Sequence, residues 1–257
     1  MAADISAVDL INQFKYALAN KWGYIWGKAG IKWTQQAQDN LVQYMVNKYG
    51  TNWKNSAEAK KDDRYQSALN GSKWIGHYVA DCSGLFSWAF KELGGYMYHG
   101  SNTMYDKYCT SKGKLSGGKR TDGRDLQPGT AVFVEKSDGK KSHVGLYIGD
   151  GKVIEAASTA KGVITSSVTD TKWKCWGELK GVSYGESPEP EPVPKGYAEV
   201  TGKRVALRKA PTTAAAIIMR IDTGERVKIE DPPPSDWEYV SYAGKTGYMM
   251  KEFLKEG

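Results

Sequence analysis

The stretch SYGESPEPEPVPKG at residues 183–196 constrains this chain more than any other feature. Proline lacks a backbone N–H and fixes φ, so it cannot recur inside a helix or a central strand. Alternating Pro and Glu with no large aliphatic run favours extended polyproline II and cannot pack into a core. A chain of 257 residues must therefore fold on either side of it. One domain is expected over residues 1–182 and a second over residues 197–257, with 183–196 as the linker.

Charge follows the same division. Residues 1–182 hold 25 Lys/Arg against 17 Asp/Glu, whereas residues 197–257 hold 10 against 9. A basic first half attracts polyanions. No helix-turn-helix, zinc-finger or RNP pattern accompanies the charge, so nucleic acid is not the expected partner, and an anionic cell wall is the other candidate. The aromatic set is 16 Tyr and 9 Trp against 5 Phe, rings with a polar handle that suit half-wet grooves. Three cysteines (Cys82, Cys109, Cys175) without a C-x-x-C pair imply no disulfide framework. Three histidines at unrelated spacings imply no structural metal. Neither a cofactor nor a metal is expected, and the chain is expected to act as a monomer. No run of 18 apolar residues exists, so no membrane helix is expected. The start MAADISAVDL lacks the basic and apolar regions of a signal peptide. The expectation is synthesis in the cytoplasm followed by release, unless a signal has been trimmed.

Helices come first in the first domain. Ser6 with Asp9 forms a capping box ahead of the stripe Leu10, Ile11, Phe14, Ala17 and Leu18. A second helix is expected from Thr34 to Tyr49 and a third from Cys82 to Leu93, which packs Leu85, Phe86, Ala89 and Phe90. Strands are expected at Thr130–Val134, Val144–Ile148, Lys152–Ala156 and Val163–Val168, with Gly149-Asp150-Gly151 as a tight hairpin turn. Helices followed by antiparallel strands indicate an α+β domain. Residues 197–257 alternate short apolar runs with turns, one of them at Pro232-Pro233-Pro234, and fit a small β-barrel.

The chemistry centres on Asp81-Cys82-Ser83-Gly84. Cys82 stands where an apolar helix begins, behind a residue that can cap it. A helix N-terminus carries partial positive charge and unpaired N–H groups, which favour a thiolate. The same tetrapeptide also suits a small buried cysteine. A thiolate nucleophile needs an imidazole. His143, at the start of a strand, is best placed; His77 and His99 lie in polar loops nearer the cysteine. The base in turn needs an orienting group. Glu155 follows His143 across the hairpin, where two antiparallel strands can set the side chains together. A carboxylate between Ile154 and Ala156 is costly unless paired, although a solvent-facing position is the other reading.

Several motifs in order now carry a resemblance: Tyr24-x-Trp26-Gly27, Asp81-Cys82-Ser83-Gly84, Pro128-Gly129, His143-Val144-Gly145-Leu146-Tyr147-Ile148-Gly149 and Ile154-Glu155-Ala156. Together they resemble the NlpC/p60 family of papain-like cell-wall cysteine peptidases. The resemblance implies a helix-borne nucleophile, Cys82, packed on an antiparallel sheet that carries the base His143, with Glu155 as the third catalytic residue. It implies hydrolysis of peptidoglycan stem peptides after γ-D-glutamate. It also implies substrate contacts from Tyr24 and Trp26, and from Asp81 and Ser83, which would hold the substrate's free amine. Three departures stand out. The third catalytic position, commonly His in the family, is Glu155. Pro-Gly-Asp appears as Pro128-Gly129-Thr130. About 50 residues, 31–80, separate the Tyr24 and Cys82 motifs; this helical insertion, with Trp33, Trp53 and Trp74, is expected to wall the groove.

The second domain resembles bacterial SH3-type modules at Val205-Ala206-Leu207-Arg208-Lys209-Ala210-Pro211 and Lys245-Thr246-Gly247-Tyr248. That implies an all-β SH3-like barrel that binds cell wall. A wall-binding peptidase without an export signal fits a phage or prophage lysin; a trimmed autolysin and a conjugation-linked hydrolase are the alternatives for its origin. An amidase that cuts between muramic acid and L-alanine, and a catalytically inactive wall-binding protein, are the alternative functions.

Overall fold

The computed structural model describes residues 5–184, 196–230 and 236–256. It divides into two compact units, Met1–Gly185 and Glu186–Gly257. Most of the expected linker (185–195) and the Pro232–Pro234 turn lie outside the described residues.

In the first unit the chain runs β1 (Ile5–Ser6), α1 (Ala7–Ala19), β2 (Ala29–Lys32), α2 (Gln35–Tyr49), α3 (Tyr65–Asn70), β3 (Tyr78–Ala80), α4 (Cys82–Glu92) and α5 (Ser101–Lys107). Strands follow: β4 (Cys109–Ser116), β5 (Lys119–Arg120), β6 (Ala131–Glu135), β7 (Lys141–Gly149), β8 (Lys152–Ser158), β9 (Gly162–Ser167), β10 (Trp173–Leu179) and β11 (Val182–Ser183). The expected α+β class is observed. Seven of the strands form one antiparallel sheet in the order β5-β4-β10-β6-β7-β8-β9.

Ser6 caps α1, its Oγ accepting the Asp9 N–H at 3.0 Å. The helix buries Leu10, Ile11, Phe14 and Ala17, and the Phe14 ring meets Phe86 of α4 edge-on at 4.7 Å. Helix α4 buries Leu85, Phe86, Ala89 and Phe90 in one core with Phe133 of β6, Val144 and Leu146 of β7, and Ile154 and Ala156 of β8. That core fixes the start of α4 against the strands that carry His143 and Glu155. The hairpin between β7 and β8 turns through Gly149, Asp150 and Gly151, all at positive φ.

Residues 31–80 differ from their expected role. Trp33 and Trp53 are 1% and 2% exposed and sit in two small cores, Trp33 with Ile25 and Val79, Trp53 with Met45, Ala59, Tyr65 and Ala68. The Trp33 indole N–H donates to Gln38 Oε1 at 3.0 Å. Trp74 donates to the Thr159 carbonyl at 2.7 Å. A short segment with few aliphatic residues needs large rings to fill its own interior, so these tryptophans build the insertion and none of them lines the cleft beside Cys82.

The second unit holds β12 (Tyr197–Val200), β13 (Val205–Arg208), β14 (Ile217–Ile221), β15 (Arg226–Ile229), β16 (Trp237–Tyr242), β17 (Lys245–Met250) and β18 (Leu254–Glu256). They form an antiparallel sheet in the order β14-β13-β17-β16-β15-β12-β18 around Val200, Leu207, Ile221, Val227, Val240 and Met249. This is the small all-β domain expected from the spacing of its turns.

Candidate active site

Asp81 organises the entry to α4. Its Oδ1 accepts the Gly84 N–H at 2.7 Å and the Ser83 hydroxyl at 3.2 Å, so it is the helix N-cap. Its Oδ2 accepts the Gly27 N–H at 2.7 Å and pairs with His99 Nε2 at 2.8 Å. The Asp81 N–H donates to the Lys28 carbonyl at 2.8 Å, which brings the Tyr24-x-Trp26-Gly27 loop against the first turn of α4. The approach is close enough that a Cβ at position 84 would collide with the Lys28 carbonyl. Glycine is therefore required two residues after the nucleophile.

Cys82 occupies the first position of α4, where its N–H has no intrahelical acceptor and the helix dipole favours negative charge. It shares a cavity of about 340 Å3 with Tyr24, Trp26, Asp81, Ser83 and His99. Burial, with Cys82 and then Asp81 beside it, pushes the Tyr24 phenol well above its usual range. That phenol stays protonated and can donate a hydrogen bond into the cavity.

His143 projects from β7. Its Nε2 lies 2.6 Å from Glu155 Oε2 on β8. Burial pulls the imidazolium down, but hydrogen bonds to Cys82 and to Glu155 outweigh it and lift the histidine to about 9. Glu155 is 1% exposed, so its solvent-facing reading does not hold. Burial raises it, and the hydrogen bonds from His143 and from Lys172 reverse this, holding the carboxyl at about 2. Gly145 makes room for the arrangement, since a Cβ there would come within 2.5 Å of Val153, 2.9 Å of Trp173 and 3.3 Å of Glu155 Cβ.

All seven residues expected from the sequence therefore fall in one place. Tyr24, Trp26, Asp81, Cys82 and Ser83 line the cavity, and His143 and Glu155 stand behind Cys82 in series. His77 does not join them; it packs against Trp74. Sequence reading missed four further residues. His99 reaches Asp81 from a loop whose Gly and Tyr neighbours carry no periodic signal. Lys172 Nζ lies 2.5 Å from Glu155 Oε1, and Trp173 stacks on the His143 ring at 5.8 Å. Arg64, from the insertion, stacks over Trp26 at 4.8 Å and over Tyr44 at 4.6 Å. The only signal for Lys172-Trp173 in the sequence is an aromatic at the first position of β10.

Both units resemble known proteins. Residues 70–178 match the model of the NlpC/P60 family, and residues 203–255 match that of the bacterial SH3 domain. A segment of 78 residues is 37% identical to "Probable endopeptidase Rv2190c" of Mycobacterium tuberculosis; it covers 30% of this chain and spans 17% of that protein. Among solved structures, the P60 domain of the Mycobacterium avium subspecies paratuberculosis antigen MAP1204 aligns at a TM-score of 0.41 and 17% identity, over 69% of this chain and 96% of that one. RipD of Mycobacterium tuberculosis, described as a non-catalytic NlpC/p60 domain protein adapted to peptidoglycan binding, aligns at 0.39 and 16%, over 67% and 95%. The chain carries an NlpC/P60-family domain over residues 70–178 and a bacterial SH3 domain over residues 203–255.

Proposed function

We propose that the protein is a peptidoglycan hydrolase, a cysteine endopeptidase that cleaves stem peptides of the bacterial cell wall after γ-D-glutamate. One observation carries the reading: Cys82 at a helix N-terminus, His143 within hydrogen-bonding reach of it, and a buried Glu155 behind His143. The order nucleophile, imidazole, carboxylate is what acyl transfer by a thiol requires.

In the proposed reaction the Cys82 sulfur attacks the scissile carbonyl carbon. The Cys82 N–H, unpaired at the start of α4, faces the developing oxyanion. The C–N bond breaks as the His143 imidazolium gives its proton to the leaving nitrogen. Water then attacks the thioester, His143 takes the water's proton, and the Cys82 sulfur departs. Glu155 holds the imidazole in one tautomer and orientation throughout. Asp81 and Ser83 supply a carboxylate and a hydroxyl for polar groups of the stem peptide, including its amine where that is free, and Tyr24 and Trp26 line the same cavity. The second domain tethers the enzyme to the wall and raises its local concentration there. The basic first domain adds attraction to anionic wall polymers.

Cys82→Ala tests the reading. Turbidity loss on purified sacculi should fall to background, and fragment masses from the parent protein should show cleavage after γ-D-glutamate. Full lysis by the variant would overturn the cysteine mechanism, and released stem peptides with an intact L-alanine N-terminus would point instead to an amidase.

A further inference from the structure

The acidic and basic side chains of residues 197–257 nearly balance in number, 9 against 10, yet they are not evenly placed. A cavity of about 250 Å3 is lined by Lys203, Arg204, Arg208 and Arg220 together with Trp237 and Phe253. Among the described residues no acidic side chain lines it, and none of the four cations pairs with a carboxylate. Three acids elsewhere in the unit are engaged with other groups. Glu230 takes Lys228 at 3.2 Å, Glu238 takes Lys251 at 3.1 Å, and Glu225 accepts the Tyr242 hydroxyl at 2.7 Å. Four like charges around one cavity repel one another, and a bound anion offsets that cost.

Two of the guanidinium groups are held in place by backbone. Arg208 Nη1 donates to the Ala215 carbonyl at 2.8 Å, and Arg220 Nη1 donates to the Arg204 carbonyl at 3.1 Å. Each such bond uses one of five N–H donors and leaves the remainder of a planar fork that matches phosphate oxygens. Arg204 itself holds a left-handed φ of 53°, a conformation that costs a non-glycine residue free energy. Trp237 and Phe253 also line the cavity and bring aromatic surface to it, which suits the apolar faces of a sugar or polyol.

We propose that this pocket of the second domain binds a phosphodiester-linked wall polymer, with the cations on phosphate and the aromatic lining residues against the sugar or polyol beside it. The proposal rests on the wall-binding reading of that domain and adds its ligand chemistry. Four cations with no internal counter-charge exceed what a single carboxylate of a stem peptide would neutralise. The cavity lies just below the size that encloses a whole small ligand, which suits one segment of a longer chain. Arginine also favours bidentate phosphate recognition over a loose cloud of charge.

The test uses the full-length chain with Cys82→Ala, so that the wall is not digested. Binding is measured to sacculi that bear a glycerol- or ribitol-phosphate polymer, and to the same sacculi stripped of it with cold hydrofluoric acid. Intact walls should bind about tenfold more tightly, a gap that narrows as salt rises from about 0.05 to about 0.5 M. Lys203→Gln with Arg220→Gln should close the gap. The charge-matched pair Lys209→Gln with Lys245→Gln, outside the pocket, should keep it. Equal binding to intact and stripped walls overturns the phosphate ligand and leaves wall binding standing. Binding to neither overturns both readings. An equal loss in the two paired variants reduces the effect to net charge and overturns the pocket.

Discussion

Two imidazole–carboxylate pairs flank Cys82, and they are nearly the same length. His143 meets Glu155 at 2.6 Å and His99 meets Asp81 at 2.8 Å. Their surroundings differ. The Glu155 side chain is wholly buried, receives only His143 and Lys172 among the described ion pairs, and sits behind a ring that is 17% exposed. Asp81 caps a helix, gathers four donors, and its histidine is 33% exposed at the cavity mouth. Geometry alone would give either histidine the role of base. Burial and the influence of Cys82 on its charge single out His143, because a base that is shielded from water and beside the nucleophile keeps its proton where the reaction uses it.

The sharpest way to break this contrast is Glu155→Gln. Loss of the carboxylate removes the group that orients the imidazole and favours its charged form, so turnover on sacculi should fall by about 10²–10⁴-fold. The alkaline limb of the pH–rate profile should also move down from near 9 toward the ordinary histidine value. A loss of less than tenfold, or an unmoved limb, would remove Glu155 from the catalytic unit.

The same pair should shape stability. Glu155 lies below its ordinary 4.5 when folded, so its contribution is complete above that value and is lost as pH falls toward about 2. His143 lies above its ordinary 6.5, so its contribution is complete below that value and is lost as pH rises through about 9. The pair therefore contributes most between about 4.5 and 6.5, where both partners are charged. Denaturant melts of the parent and of Glu155→Gln should differ most at pH 5.5, and the difference should narrow as pH rises through about 9, where His143 loses its charge while Lys172 keeps its bond to Glu155. A difference independent of pH would mean that the glutamine fails for packing reasons alone.

Legibility in the sequence follows the same contrast. Cys82, Asp81, His143 and Glu155 could be read because each lies on a regular element, α4 or the hairpin of β7 and β8, where capping and period-two alternation leave a pattern. His99 and Lys172 could not, since loops position them and the contact that defines each is distant in sequence. Strands β4 and β10 also went unread. β4 is mostly polar with only Leu115 buried, and Lys174 and Gly177 interrupt the apolar run of β10. The tryptophans of residues 31–80 were misread for another reason. Trp at the edge of a binding groove and Trp at the centre of a minor core look alike in composition, and only the observed burial of Trp33 and Trp53 separates them.

A smaller effect is expected at the mouth. A carboxylate offers about four acceptor positions, and Gly27, Gly84, Ser83 and His99 take four at Asp81. Two of these donors are backbone, and Ser83 is buried, so a substrate amine reaches Asp81 most readily by displacing His99. The hydrogen bond to Asp81 raises His99 above its ordinary value, which keeps it charged and competing as pH falls. His99→Ala should therefore lower KM for a free-amine stem peptide about three- to tenfold near pH 5.5, with little change in kcat and a shrinking difference above neutrality. A loss of kcat as large as that of Glu155→Gln would erase the distinction between the two pairs.

Lys172 gives the smallest effect and the finest test of why the inner pair behaves as it does. Its ammonium neutralises part of the Glu155 charge at 2.5 Å and spans the Trp173 ring, which itself stacks on His143. In Lys172→Met the full carboxylate charge acts on the imidazolium, so the alkaline limb should rise by a fraction of a pH unit, opposite in sign to Glu155→Gln. Turnover at neutral pH should fall only about two- to fivefold, because Glu155 keeps its bond to His143 but loses the group that fixes its other oxygen. Lys172→Arg, which retains the charge, should return the limb to its original place. If the methionine and arginine variants shift the limb alike, the lysine acts by filling space beside Trp173, and the charge on Glu155 is balanced by His143 alone.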